Sequence, residues 1–162
     1  IADAGRRDVT LLLVGDGPDR EVALERARVR QVPFIYTGMV PPQEVPDYYR
    51  LGDLFVTAST SETQGLTYFE ALAAGLPVLC RRDPCVEGVV EDGVNGWQYE
   101  SDRAFAEHLA AFCDSTVLRE EMGRAAQKSS EKFSAEAFGT AVERLYRSVR
   151  QAAVPLANAA RW

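Results

Sequence analysis

The stretch from Ser61 to Leu79 constrains the fold more than any other part of the chain, because it reads as loop, helix, turn and strand in immediate succession. Ser59, Thr60 and Ser61 offer hydroxyl oxygens suited to capping a helix, and Gly65 permits a tight backbone turn. Leu66 to Ala74 has strong helix formers at most positions, and Gly75 suits the left-handed residue that ends a helix. Pro77 forbids any continuation. Pro77-Val78-Leu79-Cys80 then has the unbroken apolar character of a strand buried on both faces.

The same alternation runs on either side. Val9 to Val14 is an apolar run that ends at the turn Gly15-Asp16-Gly17-Pro18, followed by a helix over Asp19 to Arg30 with acids in its first turn and arginines toward its end. Phe34-Ile35-Tyr36 is a short strand, Thr37-Gly38-Met39-Val40 turns into Pro41-Pro42, Glu44 to Leu51 is a helix, and Asp53 to Ala58 is the strand that enters the central stretch. Beyond it, Arg81 to Cys85 is a loop, Val86 to Glu91 a short helix, Asp92 to Gly96 a turn, and Trp97-Gln98-Tyr99 a last strand. Alternation of this kind predicts an α/β fold with a parallel, Rossmann-like sheet flanked by helices and right-handed crossovers. Ligands of such sheets sit beyond the carboxyl ends of the strands, where the loops carrying Gly15, Gly38, Glu62 and Arg81 all fall. From Ser101 the chain is helical: Phe105, Leu109 and Phe112 make an amphipathic face on a helix over Asp102 to Cys113, and helices follow over 117–132 and 135–152. His108, the only histidine, reads as a half-buried core residue. Residues 1–152 are expected to be one domain and 153–162, with Pro155, a tail.

Two acids stand out. The helix after Gly65 is apolar nearly all round, which predicts burial, so Glu70 needs a partner: an arginine from elsewhere in the fold, or the hydroxyls of a ligand in a cleft. Glu62 lies just ahead of the helix, where the positive end of its dipole favours an anion. The N–H groups of Gly65, Leu66 and Thr67 would be unpaired at that end and suited to phosphate. Phosphate at the helix end and hydroxyls at the carboxylates is a way to hold a nucleotide sugar. The Gly15-x-Gly17 turn lacks the third glycine of a dinucleotide fingerprint and reads as a tight turn at the rim of the cleft.

Glu62 and Glu70 stand in a frame, Ser-Glu-x-x-Gly-Leu-x-x-x-Glu-Ala-x-Ala-x-Gly-x-Pro-Val, that resembles the signature of the family 4 retaining glycosyltransferases of the GT-B architecture. The resemblance extends through Leu13 to Pro18, Tyr36 to Val40 and Val89 to Gly96, and covers most of residues 8–133. It implies the carboxyl-terminal, donor-binding domain: ribose hydroxyls on Glu70, sugar hydroxyls on Glu62, diphosphate on the amides near Gly65 and Leu66, and the nucleotide beside the loops of Gly15, Gly17, Gly38 and Met39. It implies transfer with retention, no metal and no further cofactor. It also implies that an acceptor domain, a central strand and an Arg and a Lys for the diphosphate come from a segment ahead of Val9. The Glu-Thr-Gln-Gly-Leu form is most similar to bacterial enzymes that glucosylate diacylglycerol, which favours UDP-glucose as donor and a lipid or saccharide as acceptor. A non-catalytic nucleotide-sugar-binding module and a GT-B sugar-nucleotide epimerase are the other readings; the single histidine disfavours the epimerase.

Composition narrows the partners. With 24 acids against 18 bases the net charge is -6, which argues against a general nucleic-acid binder and against an anionic bilayer unless a basic patch is concentrated locally. No apolar run approaches a membrane span, so the expected location is cytoplasmic, with peripheral membrane contact left to the complete enzyme. Cys80, Cys85 and Cys113 match neither a disulfide framework nor a zinc pattern, and are expected as thiols in a reducing cytosol.

Overall fold

A computed structural model describes residues 1–60 and 65–159, the side chains of Asp3 and of 152–159 excepted. The chain gathers into two units, 1–129 and 130–162. All the strands of the described residues lie in the first unit. β1 (Leu11–Val14) pairs in parallel with β2 (Phe34–Gly38), joined by α1 (Arg20–Val29). A second parallel sheet has the order β3 (Phe55–Thr57), β4 (Val78–Arg81), β5 (Gly96–Tyr99). α2 (Val45–Leu51) precedes β3, α3 (Leu66–Ala73) carries the chain from β3 to β4, and α4 (Asp102–Asp114) and α5 (Thr116–Ser130) follow.

The ladder is therefore split in two, where alternation alone predicts one run of strands. β1 and β3 each keep an edge without a ladder partner among the described residues. The central strand that the resemblance expects from ahead of Val9 would need such a pair of edges.

Packing on both faces holds the second sheet. Leu79, Trp97 and Tyr99 point from the sheet toward α4, where Leu79, Tyr99 and Leu109 form a buried cluster that also receives Ile1 and Ala4 of the amino-terminal 3-10 turn. Tyr99 meets Phe105 edge-on at 5.1 Å, and Trp97 stacks on His108 at 5.2 Å, so the histidine is set against an aromatic face. On the other side α3 packs on β4 through Tyr68, Ala71 and Leu72, all fully buried. α3 ends as its residues require. Gly75 is left-handed at φ 80°, its N–H bonds Leu72, and the N–H of Leu76 reaches back to Ala71, a Schellman arrangement that satisfies the last carbonyls. α5 crosses this turn so closely that a Cβ on Gly123 would lie 3.2 Å from the carbonyl of Gly75.

Two expected elements differ. The helix over Val86 to Glu91 is instead a single 3-10 turn, Pro84–Val86, started by the Asp83 carboxylate accepting the Cys85 N–H at 2.8 Å; Gly88, left-handed at φ 73°, prevents extension. In the second unit α6 (Ala135–Ala159) is continuous through Pro155, beyond the point where a tail is expected to begin.

Candidate active site

The site begins at Gly65. Its backbone is left-handed at φ 60°, and a Cβ there would meet the Tyr68 ring at 3.2 Å, so only glycine enters α3 at this angle. No side chain among the described residues caps the helix; the N–H of Tyr68 bonds back to Gly65, while Leu66 and Thr67 are exposed. Among the described residues no hydrogen bond to the Leu66 or Thr67 N–H is formed at this positive end of α3.

Glu70 lies one turn further on. The even apolar character of the helix predicts a buried carboxylate, but Glu70 is exposed, because α3 buries only the face of Tyr68, Ala71 and Leu72 and turns Leu66, Thr67, Glu70 and Ala73 outward. Among the described residues its partner is a tyrosine and not an arginine. The Tyr49 hydroxyl, from α2, donates to Glu70 Oε2 at 2.9 Å. Tyr49 itself is half-buried, its ring 5.9 Å from Phe55, which in turn meets Tyr68 edge-on at 6.1 Å. Burial first, and then the bond to Glu70, hold the phenol well above the ordinary tyrosine value, so it remains a proton donor at neutral pH. Nothing near Tyr49 in sequence signals this contact; the signal was the demand of Glu70 for a partner.

Gly15 and Gly38 are brought together at the carboxyl ends of β1 and β2, the Gly15 N–H donating to the Gly38 carbonyl at 2.9 Å with both residues at positive φ. Gly17 donates its N–H to the Asp16 carboxylate at 2.8 Å, and this bond more than any other holds Asp16 below the usual carboxylate range. Arg20 stands 3.5 Å from Asp16 and 6.0 Å over the Tyr36 ring, closing the turn. Met39 is 76% exposed beside it. The candidate residues thus divide between the two sheets: Gly15, Gly17, Gly38 and Met39 on the β1–β2 side, and Gly65, Leu66, Thr67 and Glu70 on the helix behind β4. Glu62 falls outside the described residues. Of the two loop arginines, Arg82 bridges to Glu100 at 3.0 Å and to Asp92 at 3.7 Å. Arg81 is exposed at the end of β4.

The N-terminal end of a helix favours an anion, and an exposed carboxylate with one oxygen held accepts hydrogen bonds from hydroxyls. Together they suit a phosphorylated polyol. The family described as Glycosyl transferases group 1 matches residues 1–115. The chain belongs to this family. Among related group 1 glycosyltransferases, the alpha-monoglucosyldiacylglycerol synthase of Acholeplasma laidlawii is 36% identical over 137 residues, 83% of this chain and 34% of that protein. The synthase of the same name from Streptococcus pneumoniae is 36% identical over 143 residues, 85% of this chain and 31% of that protein. The chain therefore spans about a third of the length of these relatives. In fold it is similar to the pneumococcal O-GlcNAc transferase GtfA, solved in complex with UDP and GlcNAc, at TM-score 0.73 and 24% identity over 88% of this chain and 29% of that one. Parallel sheets flanked by helices are thus shared with GT-B glycosyltransferases. Among the described residues, no helix is long and apolar enough to cross a membrane.

Proposed function

We propose that this chain is the donor-binding part of a retaining glycosyltransferase, which holds a nucleoside diphosphate sugar for hexosyl transfer to a lipid or saccharide acceptor. The observation that carries the reading is the outer face of α3, where Leu66 and Thr67, exposed in the first turn, stand one turn from the exposed Glu70 carboxylate. The amides take the diphosphate, and Glu70 takes the ribose hydroxyls. Neither group has to change charge during transfer. Glu62, which precedes α3 in the sequence, is assigned to the hydroxyls of the sugar.

UDP-glucose is the favoured donor and a membrane lipid the favoured acceptor, supported by the names of the two synthases and by the UDP in the GtfA structure. The helix dipole supplies positive potential where a metal ion would otherwise be needed, so binding should survive a chelator. Acceptor recognition and the cations that complete the diphosphate site are assigned to the remainder of a longer enzyme.

A thermal melt against UDP, GDP and ADP tests the donor site. A ligand at about 100 times its Kd adds about 2.7 kcal/mol of stability. UDP in EDTA should raise the melting temperature, and Glu70→Ala should abolish the rise. Equal or absent shifts for all three nucleotides, unchanged by Glu70→Ala, would remove the assignment.

A further inference from the structure

An exposed glutamate samples several rotamers, and a ligand that needs one of them loses affinity to the rest. Glu70 is exposed but not loose, because the Tyr49 hydroxyl holds its Oε2 at 2.9 Å. Tyr49 is in turn held at its ring and at its backbone. Its ring lies against Phe55 of β3, and Phe55 lies against Tyr68, which sits two residues before Glu70 on the same helix. Its carbonyl accepts the N–H of Gly52 at 3.1 Å, and Gly52 seats the end of α2 so tightly that a Cβ there would lie 3.0 Å from Leu76. Tyr49 thus stands between α2 and α3, its hydroxyl 2.9 Å from Oε2 of Glu70, the one charged side chain on the helix, and 3.5 Å from the Thr67 carbonyl.

We infer that Tyr49 is a positioning residue of the donor site, which fixes Oε2 of Glu70 so that the rest of the carboxylate is presented to the vicinal hydroxyls of the nucleotide ribose. The inference rests on the donor-site reading above. An ionised carboxylate has about four acceptor positions, and one phenol uses one of them. The remaining positions suffice for a diol. A fixed acceptor gains most against a ligand that offers two hydroxyls in a set geometry, and gains nothing against one that offers none. Tyr49 thus acts on hydroxyl recognition without touching the phosphates.

The test compares UDP with 2′,3′-dideoxy-UDP by calorimetric titration of the wild type, Tyr49→Phe, Glu70→Gln and the double variant. Phenylalanine keeps the ring that packs on Phe55 and removes only the hydroxyl. Tyr49→Phe should weaken UDP about fivefold to tenfold, the range expected for loss of one ordered acceptor. It should leave dideoxy-UDP unchanged and add nothing further to Glu70→Gln. An equal loss for both nucleotides, or a full additional loss in the double variant, would show a structural role and overturn the inference. If Tyr49→Phe leaves UDP binding intact while Glu70→Gln weakens it, the inference fails and the donor site stands. If Glu70→Gln has no effect on UDP, the donor-site reading fails, and this inference with it.

Discussion

Asn95 shows how much one side chain can carry. It is fully buried, and each of its polar atoms is used: Oδ1 accepts the Glu91 N–H at 2.7 Å, and Nδ2 donates to the Val89 carbonyl and to Ser129 Oγ, both at 2.9 Å. The amide thereby closes the turn ahead of β5 and ties it to α5. Asn95→Ala would remove the donor to the buried Val89 carbonyl, at about 1–3 kcal/mol, and the acceptor of the less buried Glu91 N–H, so chemical denaturation should show a loss of about 2 kcal/mol. Asn95→Asp keeps the acceptor and loses the two donated bonds, and should also destabilise. The three cysteines divide by burial. Burial above all pushes the Cys80 thiol up to about 12, whereas Cys85 is exposed. Iodoacetamide at pH ~8, near the ordinary thiol value, should therefore label Cys85 first and leave Cys80 unmodified until the chain unfolds.

At the scale of elements, the close approach of strands decides which residues can change. A Cβ on Gly96 would lie 2.1 Å from the Val78 carbonyl, a distance no rotamer change relieves because both atoms are backbone-bound. Gly96→Ala should cost more than about 4 kcal/mol or prevent folding, as circular dichroism and a denaturant midpoint would show. The turn rich in glycine and asparagine was legible in the amino acids, but the contact was not, since it depends on the register that sets Val78 opposite Gly96. The same division holds for α3. Its start at Gly65, its end at Gly75 and the strand after Pro77 follow from local chemistry, which acts within a few residues. The exposure of Glu70 does not, because a helix with apolar residues all round can present any face to its neighbours, and the choice fell to Tyr68, Ala71 and Leu72 through contacts with distant strands. Tyr49 was invisible for a related reason: it meets Glu70 from another helix, 21 residues away. The start of α3 could be read, and the tyrosine that meets its carboxylate could not.

At the scale of the whole molecule, the amino-terminal segment is fastened to the first unit by charge as well as by the packing of Ile1 and Ala4. Arg6, only 19% exposed, bonds Asp8 at 2.6 Å and Asp114 at the end of α4 at 2.5 Å. The hydrogen bond from Arg6, more than any other influence, lowers the Asp8 carboxyl below the usual aspartate range. Between its folded value and the ordinary value of about 3.9, Asp8 is protonated in the unfolded chain and ionised in the folded one, so the unfolded state binds more protons and stability rises with pH. The contribution is complete above the ordinary value and is lost as pH falls through the folded one. Arg6→Gln removes the partner that lowers the carboxyl, and should lower the melting temperature at pH ~7, above the titration of Asp8. Both aspartates are exposed, so the effect should be modest and should shrink in high salt. Acidification must then narrow the gap between the two melting curves, because protonated Asp8 has little left for Arg6 to attract. A gap between wild type and Arg6→Gln that persists unchanged from pH ~7 down to pH ~2, well below the ordinary aspartate value, would mean that Arg6 holds the segment by packing of its stem instead.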